Sequence, residues 1–257
     1  MKLAAVQYRP PKGRPKRARA DLVRLASAAV DAGAELVVMP EIATTGYVWP
    51  SADAVRPFCE PAQGPTFQAL QAVAQRGAWI VCGYAELGED GALYNSALVL
   101  RPDGSLAASY RKILLYELDH TWARAGQKRL LVRTDGGEVA PAICMDMNDP
   151  RLLTWLSMVQ PEILAFCTNW VEEGEDVHAW WRSQLRAFRG WTVAANRWGV
   201  DEEVRFSGRS AILAPSGEVA AAAEAEGDSV VMVDTDAWLR EHSLVSQPTS
   251  ADGRRWR

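Results

Sequence analysis

Short apolar runs alternate along the chain with stretches of helical periodicity, and glycine and proline punctuate both. Leu3–Val6, small and branched, predicts a strand. Arg17–Ala32 places Leu22, Leu25, Ala26 and Ala29 on one helical face, and Gly33 stops it. Glu35–Met39 predicts a second buried strand, ending at Pro40-Glu41. Thr66–Arg76 predicts a helix closed by Gly77, followed by strands over Ala78–Tyr84 and Ala92–Leu100. The turn Pro102-Asp-Gly104 folds the latter into a hairpin with Ser105–Arg111. Ile113–Gln127 reads as loop.

The second half repeats the scheme. Strands are predicted over Arg129–Arg133 and Val139–Ile143, on either side of the turn Asp135-Gly-Gly137. A helix at Pro150–Val159, a strand at Ile163–Cys167, a helix at Asp176–Phe188 and a strand at Thr192–Ala195 follow. Phe206–Ala214 and Glu218–Ala223 form a hairpin across Pro215-Ser-Gly217. Ser229–Val233 is the last strand and Asp236–Arg240 a helical turn. The polar tail Ser246–Arg257 is expected to pack on a partner subunit or to be loose. Hairpins interrupting strand–helix–strand units predict an α/β protein with mixed rather than purely parallel sheets. The unit occurs in both halves, which suggests two sheets face to face with helices outside.

Composition narrows this further. No linker or composition shift divides the 257 residues, so a single domain over 1–257 is expected. Hydrophobic content of 48% and charged content of 23% are those of a soluble globular protein. A net charge of −4 argues against nucleic acid as partner. The early basic cluster, Arg9 to Arg19, is broken by prolines and a glycine and reads as a solvated loop. Met1–Val6 is too short an apolar run for a signal peptide, and no run approaches a membrane span. The four cysteines, Cys59, Cys82, Cys144 and Cys167, form no CxxC, a usage suited to a reducing cytoplasm. The three histidines lack metal-ligand spacing, so a histidine-built zinc site is not expected.

The candidate chemistry lies at strand ends. Cys144 closes the strand Val139–Ile143, a turn Met145–Asp149 follows, and Pro150 opens a helix. Such a sulfur either fills the core or projects from the sheet edge as a nucleophile, with the next backbone N–H facing an oxyanion. Glu41 and Lys112 also sit just after strands, so one sheet end can gather all three. Taken singly, the glutamate reads as a cap or surface carboxylate and the lysine as a strand-end charge. Together, a carboxylate that takes the thiol's proton and an ammonium that holds an oxyanion suit acyl transfer from an amide or nitrile.

The motifs Met39-Pro-Glu41 with Thr45-Gly46-Tyr47, Tyr94-Asn95-Ser96-Ala97, Tyr110-Arg-Lys112, Ile143-Cys144-Met-Asp146, Thr168-Asn169-Trp170, Ala194-Ala-Asn196-Arg197-Trp-Gly199 and Phe206-Ser-Gly208-Arg-Ser210 occur in this order. In that ordered set the chain resembles the nitrilase superfamily of carbon-nitrogen hydrolases, on an amidase-like branch. The resemblance implies a four-layer α-β-β-α sandwich with two mixed sheets, a homodimer joined through helices near the nucleophile, and no cofactor. It implies Cys144 as nucleophile, Glu41 as general base, and Lys112 with the Met145 N–H as oxyanion donors. A further family carboxylate corresponds to Asp119 by position, although Glu117 is the only glutamate in that segment. Asn169 is a candidate for the substrate carbonyl. Trp49 and Trp170 are candidates for the walls of the acyl pocket among eleven tryptophans. The expected activity is hydrolysis of a small linear, non-peptide amide through a Cys144 thioester. A nitrilase, an amide-forming acyltransferase and a non-catalytic binding protein of the same fold are the alternatives.

Overall fold

The structure, a computed structural model, describes residues 1–245. The first half runs β1 (Lys2–Gln7), α1 (Pro15–Asp31), β2 (Leu36–Val38), α2 (Ala52–Val55), α3 (Pro65–Ala74), β3 (Trp79–Leu87), β4 (Leu93–Leu100) and β5 (Leu106–Arg111). The second continues with β6 (Val132–Thr134), β7 (Gly137–Ile143), α4 (Pro150–Val159), β8 (Ile163–Thr168), α5 (Val177–Gln184) and β9 (Trp191–Asn196). Then come β10 (Trp198–Asp201), β11 (Val204–Ser207), β12 (Ala211–Leu213), β13 (Val219–Ala222), β14 (Ser229–Asp234) and α6 (Thr235–Val245).

Two six-stranded sheets form, ordered β14-β1-β2-β3-β4-β5 and β13-β12-β9-β8-β7-β6. Each is parallel at its centre, β1-β2-β3 in one and β7-β8-β9 in the other, and antiparallel toward both edges. The helices between parallel strands cover the outer faces. Strand alternation assigns the layers. In β1, Leu3 and Ala5 point into the layer between the sheets, while Ala4 and Val6 join Leu22, Leu25, Ala26 and Phe67 of α1 and α3 outside. In β8, Ile163, Ala165 and Cys167 face inward, whereas Leu164 and Phe166 pack on Leu152, Leu156 and Trp181 of α4 and α5. Burial on both faces explains why the central strands read as unbroken apolar runs. The result is the four-layer α-β-β-α sandwich.

The structure corrects several boundaries. Phe206–Ala214 is not one strand. Gly208 and Arg209 take left-handed φ of 61° and 53°, and β11 leaves the sheet to pair with β10 as a separate ribbon. The break is held by Asn196, whose Nδ2 donates to Ser207 Oγ at 2.9 Å and to the Gly208 carbonyl oxygen at 2.5 Å. β10 escapes a pattern reading because Gly199 interrupts its short alternation. The α5 helix ends at Gln184 rather than Phe188, the strand expected over Arg129–Arg133 is β6 at Val132–Thr134, and α6 extends beyond Arg240 to Val245. The tail Ser246–Arg257 lies outside the described residues. Among those described, no helix is long and apolar enough to cross a membrane.

Candidate active site

Three loops bring the chemistry to one end of the sandwich. After β2 the chain turns at Pro40-Glu41, and Ile42 adopts a φ of 45°. This segment lies directly on β3 at Gly83, where any side chain would strike Pro40 and Glu41. Hydrogen bonds from Gly83 N to Pro40 O (3.1 Å) and from Ala43 N to Gly83 O (3.0 Å) pin it there. Lys112 follows β5. Its N–H donates to Asn95 O at 2.8 Å, and its carbonyl accepts from Gly126 N at 2.7 Å. Cys144 follows β7 with a φ of 40°, the left-handed region that L side chains rarely adopt, and begins a 3-10 turn over Cys144–Asn148.

Glu41, Lys112 and Asp119 are fully buried, and Cys144 is nearly so. Lys112 Nζ donates to Glu41 Oε1 and to Asp119 Oδ2, each at 2.6 Å. Asn95 Nδ2 bridges the same two carboxylates, at 2.7 Å to Glu41 Oε1 and 3.1 Å to Asp119 Oδ1. Tyr116 N–H donates to Asp119 Oδ2 at 3.0 Å. Thus one cation meets two anions out of water. Burial, with the charge of Asp119, pushes the Glu41 carboxyl up against the pull of Lys112. Burial works to neutralise Lys112, but Asp119 and Glu41 outweigh it and hold the ammonium charged well above the usual lysine range. Burial and then Glu41 push the Cys144 thiol up to about 12, against Lys112, the Thr168 hydroxyl and the Asn169 N–H. The resting sulfur is therefore a thiol, and a base must remove its proton during reaction.

The turn after Cys144 is tied to the lysine loop by a residue whose role the sequence leaves open. Asp146, buried, accepts from the Tyr110 hydroxyl (2.7 Å), Ile113 N (3.0 Å), Leu114 N (2.8 Å) and Ile143 N (2.9 Å). Asp146→Ala strands these four donors in the interior. The expected loss is roughly 3–5 kcal/mol of stability, read from denaturant midpoints. A loss below about 1 kcal/mol would mean that the donors find other acceptors and the clamp is dispensable.

A cavity of about 180 Å³ opens over the sulfur. Cys144, Met145, Asn169 and Trp170 line it, with Tyr47, Tyr116 and Glu173. The Met145 N–H stands in the first turn of the 3-10 helix, where N–H groups lack an intrahelical acceptor. Asn169 Nδ2 donates to Glu41 O at 2.9 Å, while its Oδ1 has no partner. Trp170 packs edge-on against Phe166 and Trp181.

Two expectations shift. Asp119, like Glu41 and Lys112, does not line the cavity. It stands behind Lys112 and holds it, while Glu117 is exposed. Trp49 is outside the cavity too, packed at a tilt against Phe58 with its Nε1 donating to Gly46 O at 3.0 Å. The wall is supplied instead by Tyr47, which Asp201 anchors through its backbone N–H at 2.8 Å, and by Tyr116. Asp201 in turn accepts from Arg197 Nη1 at 3.0 Å, a pair wholly inside the protein. Asn95 stands within a quoted motif, but nothing in its spacing marks it as the bridge between two carboxylates.

The fold and this buried cysteine, lysine and carboxylate set describe a class of hydrolase, and comparison with known proteins gives the family. The carbon-nitrogen hydrolase model matches residues 2–241, and the chain belongs to that family. It is 33% identical over 224 residues to a hydrolase in the pqqF 5′ region of Pseudomonas protegens, covering 84% of this chain and 76% of the relative. It is 31% identical over 251 residues to a nitrilase of Pyrococcus abyssi, covering 96% and 94%. Among solved structures, a mutant amidase of Nesterenkonia sp. AN1, carrying acrylamide added at its active-site cysteine, superposes with a TM-score of 0.80. That match is at 19% identity and covers 95% of this chain and 98% of the other. The protein is a carbon-nitrogen hydrolase.

Proposed function

We propose that the protein hydrolyses a small linear amide through a thioester on Cys144. The observation that carries this reading is the state of Glu41. Its Oε1 is held by Lys112 and Asn95, whereas Oε2 is buried and has no partner. The charge of Glu41 acts on the Cys144 thiol, and a carboxylate oxygen without a partner is suited to take its proton. Sulfur then attacks the amide carbon, and the oxygen gathers negative charge facing Lys112 and the Met145 N–H. Two of the three Lys112 ammonium hydrogens are engaged, leaving one for that oxyanion. The tetrahedral adduct collapses as Glu41 returns the proton to nitrogen, and ammonia or an amine departs. Glu41 next takes a proton from water, the hydroxide attacks the thioester, and the acid leaves with the thiol restored. Amide and water become acid and amine, with no other reactant.

Intact-mass measurement during brief incubation with small amides tests the route. An adduct of the acyl mass on Cys144, with ammonia released in step, is the expected result. Turnover without any adduct on a trapped, quenched sample would contradict the thioester. The similarity to the Pyrococcus nitrilase favours a nitrile as second reading. Ammonia from a nitrile but not from its matching amide would decide for it.

The acid limb of the pH profile follows from the same groups. Glu41 acts as base only when ionised, and burial raises its pKa. The rate constant kcat/KM is therefore expected to rise with pH through a midpoint above the ordinary glutamate value of about 4.3. Glu41→Gln should lower it by about 10²- to 10⁴-fold. A flat profile across the acid range would exclude Glu41 as the base.

A further inference from the structure

The lining of the cavity over Cys144 contains no lysine, arginine or histidine. It does contain Glu173, an exposed residue that takes part in no ion pair among the described residues. Burial and then the charges of Glu173 and Glu117 push the Tyr116 hydroxyl up, which sets Glu173 beside that wall. Below, the single charge of Lys112 is already met by Glu41 and Asp119. Among the described residues, an anionic substrate thus finds no free cation at either end of the cavity.

Two further observations are independent of that charge balance. Tyr47 Oη and Asn169 Oδ1 belong to cavity-lining residues that are almost completely buried, and neither atom has a hydrogen-bond partner. The amide oxygen only accepts, and the phenol oxygen is able to, so both suit an N–H donor. In addition, the rings of Tyr47, Tyr116 and Trp170 wall the space, and aromatic faces attract ammonium groups.

Building on the amidase reading above, we infer that the cavity selects short amides that carry a protonated amine, with Glu173 and the aromatic wall receiving the ammonium while the carbonyl lies at Cys144. The volume of about 180 Å³ suits a short chain rather than a long acyl group.

Three short amides test this: 3-aminopropanamide, its neutral isostere butyramide, and the slightly larger anion succinamate. Calorimetric titration of the Cys144→Ala protein separates binding from turnover. At low salt 3-aminopropanamide is expected to bind about fivefold tighter than butyramide, the scale of one solvent-accessible charge pair, with succinamate weakest. High salt should narrow the preference. Glu173→Gln in the same background should bring the ratio of the first two near one. Butyramide binding as well as 3-aminopropanamide, no measurable binding of any of the three, or a ratio unchanged by Glu173→Gln would overturn the inference. Ammonia release by the protein with Cys144 intact is followed in parallel. A retained binding preference with no release from any amide would overturn the hydrolytic reading and leave the selectivity standing.

Discussion

The Cys144→Ala protein is expected to release ammonia at no more than the background rate, a loss of about 10⁴-fold or more, because removing a nucleophile removes the covalent route entirely. The same variant should fold. Cys144 contributes a small side chain at the floor of a cavity, and no described side chain makes an ion pair with it. Its stability should lie within about 1.5 kcal/mol of the parent, the range for deleting one small buried group. Turnover and thermal melting on one preparation make the check. Retained activity would remove Cys144 from the mechanism, whereas a lost melting transition would leave inactivity without a chemical meaning. Because burial sets the resting thiol at about 12, alkylation of Cys144 by iodoacetamide at neutral pH should be slow and should accelerate as pH rises.

Lys112→Met is expected to cost both activity and stability. Among the described residues Lys112 is the only cation bonded to Glu41 and Asp119, all three wholly buried. Taking one partner from a buried pair typically costs about 3–5 kcal/mol, since the remaining charge keeps its desolvation penalty. Here two carboxylates remain, with only Asn95 between them. Glu41, already pushed up by burial, loses the pull of Lys112 and should hold its proton, so its folded pKa rises further above that of the unfolded chain. A carboxyl raised in this way favours the fold at low pH, and that contribution is lost as pH rises through the folded value. The variant should therefore be more stable in mild acid than above neutrality. In the parent Lys112 opposes the rise at Glu41, so the same loss with rising pH is smaller there, and the contribution of Lys112 itself is lost only as pH climbs beyond the ordinary lysine value of about 10.4. Urea midpoints in mild acid and above neutrality compare the two proteins. Equal midpoints at both pH values for Lys112→Met would show that the carboxylates are reached by water and not held as a buried cluster.

Both predictions depend on how three loops meet, and the sequence reports that meeting unevenly. Strand ends were legible, because a buried strand is a run of small and branched residues and each run stops where a polar residue is exposed to a different environment. Glu41, Lys112 and Cys144 stood out for that reason, and family motifs strengthened the grouping. The division of β1 and β8 into inner and outer faces was not legible, because both are apolar runs buried on both sides. Polar residues whose partners lie far along the chain were no more legible. Asn95 sits inside an apolar strand, yet its amide reaches Glu41 across 54 positions and Asp119 across 24. Asp146 collects donors from 32 to 36 positions away as well as from its own turn. The aromatic wall was misread at Trp49, because tryptophan fits a cavity wall and a packed loop equally well by composition.

The sequence by itself determined the layered architecture, the strand ends and the residue types available for chemistry, since burial periodicity and chain breaks are local properties. Tertiary structure alone decided that Lys112 and Asn95 are shared between Glu41 and Asp119. It decided that Cys144 turns left-handed into a 3-10 helix, and that Glu173 stands at a cavity without a counter-charge among the described residues. The physical reason is that a side chain's protonation and partners follow from desolvation and from charges a few ångströms away. Those neighbours come from distant parts of the chain and are set only when the sheets pack.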